Sequence, residues 1–375
     1  MVRVAINGFG RIGRLSLRVI LAKHSNDIEL VAVNTSGSMD TAGWAYLTQY
    51  DTSYGKFEKE IIPEEVKSPK EATDEDPLIG HFKIKGTDIS IPILAQRDPE
   101  KLPWKEYDVD VVIESTGAFV TKEGAEKHAK AGAKRVVISA PSKGGNVGTY
   151  VIGVNDATTD SVEGDDYPTV ISNASCTTNC VAPVAAVLHG AFGIQKALMT
   201  TIHGYTDDQR LKDNSHKDLR RARAAAENII PTSTGAAVAT TETIPELKGL
   251  FDGMSLRVPV ATGSITDFCF LLKKDVTIDE VNEVLEDAAN NNAIFKGILA
   301  VTKEPIVSSD IIGRTESAIV DLALTQVVDG NLVKVFAWYD NEWGYTNRLV
   351  EQVVRVGNTM SSNSAPTDPI SLSFK

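Results

Sequence analysis

Residues 171–183 read Ile-Ser-Asn-Ala-Ser-Cys-Thr-Thr-Asn-Cys-Val-Ala-Pro and set Cys176 among small polar side chains. An apolar run, Val181 to Phe192, follows at once and reads as a helix. A cysteine at a helix N-terminus meets the positive end of the macrodipole, which favours thiolate, the nucleophilic form. Ser175, Thr177, Thr178 and Asn179 can cap the first amides or hold a polar ligand. His203 closes a second apolar run, Ala197-Leu-Met-Thr-Thr-Ile, that reads as a strand. A lone histidine is more often structural. Paired in the fold with an activated cysteine, it becomes a candidate base that takes and returns a proton.

The start of the chain carries a second kind of chemistry. Arg3 to Asn7 reads as a buried strand, Gly8-Phe-Gly-Arg-Ile-Gly13 follows, and Arg14 to Lys23 reads as a helix. This is G-x-G-x-x-G in the strand–turn–helix setting that a dinucleotide fingerprint requires. Gly8 allows the tight turn, Gly10 lets a pyrophosphate approach the helix N-terminus, and Gly13 allows close helix–strand packing. The next strand, Glu29 to Val33, ends in Asn34-Thr35-Ser36-Gly37 and has no carboxylate until Asp40. An acid there normally bonds the ribose 2′-hydroxyl of NAD. Thr35 and Ser36 instead offer hydroxyls that can donate to a 2′-phosphate, so NADP is favoured over NAD and dual use is open. Strands at Val109–Ile113 and Arg135–Ser139, with a helix at Lys122–Ala131 between them, continue an α/β order. They place Ser115, Thr116, Gly117 and Ser139 at strand ends, where such sheets bind ligands.

Other segments read more plainly. Residues 60–86 are polar and proline-punctuated, an exposed insertion and solvated loop to which no chemistry is assigned. Arg210 to Arg223 is basic but interleaved with Asp213 and Asp218, and it lacks aromatics. It suits an anion site or an interface better than nucleic acid. Pro231-Thr-Ser-Thr-Gly235 is a donor-rich turn able to cradle phosphate. Residues 256–272 give one long strand signal containing Arg257, which is costly to bury unless it meets an anion or carboxylate. Thr277 and Glu280 form a capping box ahead of a helix to Ala289. Val333 to Tyr339 is a strand, Thr346 to Val356 a last helix, and the Ser/Pro-rich tail from Ser361 should be loosely ordered.

The whole-chain figures bound the reading. At 375 residues, 42% hydrophobic and 23% charged, the chain suits two ordinary domains with buried cores. A net charge of −12 argues against general nucleic-acid binding. No apolar run is long enough for a membrane span and no signal-peptide pattern opens the chain, so a cytoplasmic protein is expected. Three cysteines are too few for a disulfide framework and suit a reducing compartment. Cys180 is read as a small packed residue, with a resolving thiol as the rival, and Cys269 as core. No metal site is expected.

Taken together, the segments Ala5–Arg14, Ile171–Cys180, His203–Thr206, Pro231–Ala237, Leu256–Pro259 and Trp338–Tyr345 resemble phosphorylating glyceraldehyde-3-phosphate dehydrogenases, over residues 2–357. The resemblance implies a Rossmann-type α/β dinucleotide-binding domain at 1–175 and an α+β catalytic domain with a mixed or antiparallel sheet at 176–340. A C-terminal helix at 341–357 would return to the first domain, leaving a tail at 358–375. It implies a homotetramer whose basic loop, 206–229, lies near a neighbouring subunit's cofactor. Residue by residue, Cys176 matches the nucleophile and His203 its base. Ser175, Thr177, Thr234 and Gly235 match the site for inorganic phosphate. Thr206, Asp208, Arg257 and Arg223 match the site for the substrate's own phosphate, with Asp208 orienting. Arg11, Ile12, Arg97, Ser139 and Asn341 match cofactor contacts, Asn341 toward the nicotinamide carboxamide with Tyr345 beside it.

Two departures bear on the cofactor: NAD-preferring members carry Asp where this chain has Thr35, and commonly Leu-Pro where it has Asn214-Ser215. The segment 63–82 and the tail exceed the usual family length. The tail has no cysteine, so it holds no disulfide switch.

The implied reaction oxidises glyceraldehyde 3-phosphate with inorganic phosphate to an acyl phosphate, through a hemithioacetal and a thioester on Cys176. It is reversible, and its direction in a cell (glycolytic, gluconeogenic or photosynthetic) is open. Erythrose-4-phosphate dehydrogenase shares the scaffold. An aspartate-semialdehyde-type enzyme would leave Trp338–Tyr345 unaccounted for. A non-catalytic scaffold role would leave Cys176 and His203 without a purpose.

Overall fold

A computed structural model gives the fold; it describes residues 1–144, 146–155 and 168–361, so the expected loose tail lies outside the described residues. The chain divides into two compact units. Unit 1 comprises Met1–Tyr150 with 168–173 and 346–361; unit 2 comprises 151–155 with Ala174–Tyr345.

Unit 1 is built on eleven strands: β1 (Val2–Asn7), β2 (Ile28–Thr35), β3 (Tyr50–Asp51), β4 (Gly55–Lys56), β5 (Ile61–Glu65), β6 (Leu78–Ile84), β7 (Ser90–Ala95), β8 (Val111–Glu114), β9 (Arg135–Ile138), β10 (Gly148–Thr149) and β11 (Val170–Ser172). Nine form one sheet in the order β10-β11-β9-β8-β1-β2-β7-β6-β5, and β3 pairs only with β4. From β10 to β7 the pairs are parallel. Strands such as Val-Val-Ile-Glu and Ile-Glu-Leu-Val-Ala-Val-Asn-Thr are apolar almost throughout, as parallel strands covered on both faces must be. The helices α1 (Arg11–Lys23), α2 (Thr41–Gln49) and α3 (Lys122–Lys130) lie between the strands in sequence. Because β1 has β2 on one side and β8 on the other, the strand order reverses at its C-terminal end, the position where such sheets bind ligands. The last helix, α7 (Trp343–Ser361), has its 346–361 portion in unit 1, where Lys23 Nζ donates to Asn347 Oδ1 at 2.8 Å.

The segment 60–86 differs from expectation. It is not a solvated loop throughout: β5 and β6 pair antiparallel with each other, and β6 pairs antiparallel with β7, extending the sheet edge. Leu78, Ile79, Phe82 and Ile84 supply the apolar side that the charged residues around them obscured. Between the two strands, 66–77 is loop and a single 3-10 turn.

Unit 2 carries β12 (Ile194–Gly204), β13 (Ile230–Ser233), β14 (Phe251–Val258), β15 (Ser264–Leu272), β16 (Leu299–Thr302), β17 (Ala318–Asp321), β18 (Gln326–Val328) and β19 (Leu332–Tyr339). The sheet is mixed, in the order β13-β14-β12-β15-β19-β17-β16 with β18 beside β19. The helices α4 (Cys176–Phe192), α5 (Ala236–Thr243) and α6 (Ile278–Asn290) build the core with it. Val181, Val184, Leu188, Val281 and Leu285 from the helices meet Phe268, Phe270, Val333 and Val335 from the strands. Each such side chain contributes about 1.5–3 kcal/mol on burial.

Two expectations change here. The run 256–272 is two strands, because Pro259 has no N–H for the ladder and Gly263 turns with φ +92°. β14 and β15 then flank β12 on opposite sides. Cys269 is half-buried, not core: burial alternates along β15, and Cys269 falls on the face opposite Phe268 and Phe270. The capping box at Thr277 and Glu280 is present as read. No helix among the described residues is long and apolar enough to cross a membrane.

Candidate active site

The chain enters α4 through Ala174, whose φ of +57° is a left-handed conformation costing an alanine about 1–2 kcal/mol. The Tyr345 hydroxyl donates to its carbonyl at 3.1 Å. Ser175 caps the helix, its Oγ accepting from the Thr178 amide at 3.0 Å. Cys176 is therefore the first helical residue. The parallel pairing of β12 with β14 sets His203 opposite Arg257. His203 Nε2 lies 3.4 Å from Cys176 Sγ.

Tyr339, on β19, holds this pair. Its buried hydroxyl bonds Thr177 Oγ1 at 2.9 Å and Thr201 Oγ1 at 2.7 Å, tying the first turn of α4 to β12. Its ring meets the His203 ring edge-on, with centroids 6.0 Å apart.

His203 Nδ1 is 2.6 Å from both Gly204 O and Arg257 Nη1. One nitrogen cannot donate to the carbonyl and accept from the guanidinium at once. Donation to Gly204 O leaves the Nε2 lone pair facing the thiol, the tautomer that a base requires. Arg257 keeps its own bond to Gly204 O at 3.2 Å.

Burial pushes His203 down to about 3, and the Arg257 charge adds to that. Burial also pushes the Cys176 thiol up, while Arg257 and the Thr177 hydroxyl and amide pull it back. Loss of solvation and the helix N-terminus thus act on the sulfur in opposite directions. With sulfur and Nε2 3.4 Å apart, the thiol proton is within reach of the imidazole as the sulfur attacks. Cys180, one turn on, is fully buried with its thiol pushed well up by burial, as a packed residue would be.

In unit 1, the fingerprint turn has the geometry its residues imply. Gly8 has φ +95°, and a Cβ there would sit 2.6 Å from the Thr116 amide nitrogen. A Cβ on Gly13 would collide with the Gly8 carbonyl oxygen, whereas nothing lies within 4 Å of one on Gly10. That open side at the start of α1 fits a pyrophosphate. Gly13→Ala should abolish dinucleotide binding and lower the melting temperature by several degrees, read by calorimetric titration and thermal melts.

A buried polar chain supports the turn from below. Trp104 donates to His128 Nδ1 at 2.9 Å, His128 Nε2 meets Glu114 at 2.9 Å, and Asn7 Nδ2 donates to Glu114 at 2.6 Å. Asn34 in turn donates to Asn7 Oδ1 at 2.7 Å.

Comparison with known proteins meets this geometry. Residues 2–122 match the family model described as "Glyceraldehyde 3-phosphate dehydrogenase, NAD binding domain", and residues 175–341 the one described as its C-terminal domain. The chain is 51% identical to "Glyceraldehyde-3-phosphate dehydrogenase 2" of Streptomyces avermitilis, covering 96% of this chain and 99% of that one. It is 52% identical to "Glyceraldehyde-3-phosphate dehydrogenase" of Streptomyces coelicolor over the same shares, 96% and 99%. It is 48% identical to "Glyceraldehyde-3-phosphate dehydrogenase 2" of a Synechocystis strain over 94% and 97%. The chain belongs to the glyceraldehyde-3-phosphate dehydrogenase family. It is thus an oxidoreductase built around a nicotinamide dinucleotide.

Within this family frame, some residues named from sequence are placed otherwise. Thr35 is 2% exposed and its hydroxyl donates to Leu94 O at 3.0 Å, so it has no proton for a 2′-phosphate. Ser36 is exposed. The Asp40 carboxylate caps α2, accepting from the Gly43 amide at 2.8 Å. The Arg11 guanidinium pairs with the Asp51 carboxylate.

Arg223 pairs with Asp213 at 2.8 Å in solvent and does not join Asp208. Arg221 takes that place, donating to Asp208 at 2.7 Å and twice to Thr232 Oγ1. The turn capped by the Asp218 carboxylate on the Arg220 amide aims Arg221 toward β13. Burial works to raise the Asp208 carboxyl, but Thr206, Arg221 and Arg257 hold it below the usual range, an orienting anion between cations.

Thr234 Oγ1 accepts from the Ala236 amide at 3.2 Å and Gly235 is the first cap of α5, which packs on α4. Thr177 is buried against Tyr339, so its amide and hydroxyl serve the sulfur. Asn341 Oδ1 accepts from Gly263 N at 3.1 Å and Ser264 Oγ at 2.9 Å, which leaves its NH2 to donate to a carbonyl. Ile12 lies in the first turn of α1, Ser139 follows β9, and Arg97 and Ser215 are exposed.

Tyr339, Arg221 and the Glu114–His128 pair escaped the sequence reading. Only an acid closing the apolar run Val-Val-Ile-Glu114 signalled any of them.

Proposed function

We propose that this chain oxidises glyceraldehyde 3-phosphate with inorganic phosphate to 1,3-bisphosphoglycerate, reversibly, with NADP ahead of NAD. The observation carrying it is the Cys176–His203 pair at the start of α4 in a chain of this family. The Cys176 thiol proton passes to His203 Nε2 as sulfur bonds the aldehyde carbon, giving a hemithioacetal. His203 passes that proton on to the aldehyde oxygen, which becomes the hemithioacetal hydroxyl, and takes it back as the C–H hydride leaves. The oxidised dinucleotide, when bound, supplies the hydride acceptor. The thioester left on Cys176 is opened by phosphate oxygen, releasing the acyl phosphate and the sulfur. Arg257 and Thr206, oriented through Asp208 and Arg221, hold the substrate's phosphate, with Ser175, Thr234 and Gly235 around the attacking one, while Thr177 favours charge on the sulfur.

Three features support NADP. No free carboxylate stands at the end of β2, Ser36 and Ser38 are exposed, and Arg97 is an exposed cation nearby in sequence to β7. Steady-state kcat/KM with each dinucleotide tests this. NADP should equal or exceed NAD, and a 100-fold preference for NAD, about 2.7 kcal/mol, overturns it. Omitting phosphate should stop product formation. Undiminished acid release without it would point to the erythrose-4-phosphate type of reaction.

A homotetramer is part of the same reading. The unit 2 sheet face away from the helices shows Leu198 at 64% and Met254 at 42% exposure, an apolar surface suited to another copy. Three free thiols suit the cytoplasm.

A further inference from the structure

The loop 66–77 had no chemistry assigned to it, yet it is anchored at three points around the end of β2. The Ala42 amide, in the first turn of α2, donates to Glu65 Oε1 at 2.8 Å just before the loop begins. A Cβ built on Gly37 would lie 3.8 Å from Pro69 Cβ, so the 3-10 turn Pro69–Glu71 stands beside the Ser36–Ser38 bend. Gln96 Nε2 donates to Asp74 Oδ1 at 3.0 Å, and Lys101 pairs with the same carboxylate. Gln96 immediately precedes Arg97 and also accepts the Asn34 side chain at its carbonyl, 2.7 Å away. The loop therefore touches both the residues after β2 and the residues after β7.

Its acids are mostly spent. Glu71 bonds the Ser68 amide at 2.9 Å, Asp74 serves Gln96 and Lys101, and Asp76 pairs with Lys67. Lys70 is different. It lies within the turn beside Gly37, is exposed, and makes no ion pair among the described residues; the same holds for Arg97. A lysine on a flexible four-carbon stem is suited to meeting a phosphate as a point charge.

We propose that loop 66–77 forms the outer wall of the site for the cofactor's adenosine ribose, and that Lys70 joins Ser36, Ser38 and Arg97 in binding a 2′-phosphate. This rests on the NADP reading above. Lys70 acts on cofactor choice and touches no reacting atom.

The test is binding of 2′,5′-ADP by calorimetric titration, alongside kcat/KM for NADP and NAD, with wild type, Lys70→Gln and Lys70→Arg. Lys70→Gln should weaken 2′,5′-ADP and lower kcat/KM for NADP by about tenfold, with NAD within about twofold and the melting temperature unchanged. Lys70→Arg should restore most of it. Wild type that does not bind 2′,5′-ADP overturns the NADP reading and this inference together. Wild type that binds it, with Lys70→Gln binding equally or losing both dinucleotides alike, overturns this inference alone.

Discussion

Replacing Cys176 with serine will lower kcat for aldehyde oxidation by roughly 10,000-fold or more, with the fold unchanged. The reason lies in the neighbours. His203, pushed down to about 3, is a weak base. It can draw a proton from a thiol only because sulfur bears charge readily and because Arg257 and Thr177 favour that charge. A serine hydroxyl holds its proton far more tightly, and nothing in the pocket closes that gap. Size cannot be the cause of loss, since the N-terminal position, the Ser175 cap and the Tyr339 contacts to Thr177 and Thr201 do not involve the sulfur. Mass spectrometry gives a second readout. Wild type supplied with aldehyde and oxidised dinucleotide, but no phosphate, should accumulate an acyl adduct on Cys176, and the variant should not. A Cys176→Ser protein with normal kcat would remove Cys176 from the chemistry altogether.

What the sequence made legible follows from locality. The Gly8–Gly13 turn, the Ser175 cap and the Thr277–Glu280 box are rules of neighbouring residues, and all three stand in the structure. The candidate pair Cys176 and His203 was legible as types, but its 3.4 Å separation depends on the register of β12 against β14 and on Tyr339, 162 residues from its Thr177 contact. No pattern within a window of residues encodes such a pairing. The charge state of Cys176 meets the same limit. The dipole is readable from a helix start, but desolvation is a property of everything packed around the sulfur. Thr35 shows the same limit: its type suits a phosphate, and its buried bond to Leu94 shows that it is used elsewhere. In segment 60–86 a charge-rich surface hid the alternating apolar side of β6.

Replacing His203 with glutamine should lower kcat by roughly 100- to 10,000-fold, the range for a lost general base. The pH dependence separates this from a packing effect. Because His203 is pushed down to about 3, its protonation does not set the acid limb of activity at neutral pH. The limiting proton is that of Cys176, whose thiol is pushed up. Alkylation of Cys176 by iodoacetamide should then rise with pH through and beyond the ordinary thiol range. In the glutamine variant it should be slow at neutral pH and approach wild type only when the solution is alkaline enough to form thiolate without a base. Stability gives an independent sign. An imidazole lowered in the folded state takes up a proton on unfolding, so its contribution is complete above the ordinary value of 6.5 and is lost as pH falls toward about 3. Wild-type melting temperature should therefore drop across that window more steeply than that of His203→Gln. A variant with kcat within about tenfold of wild type and an unchanged alkylation profile would show that His203 only packs against Tyr339, and that the thiol proton leaves by another route.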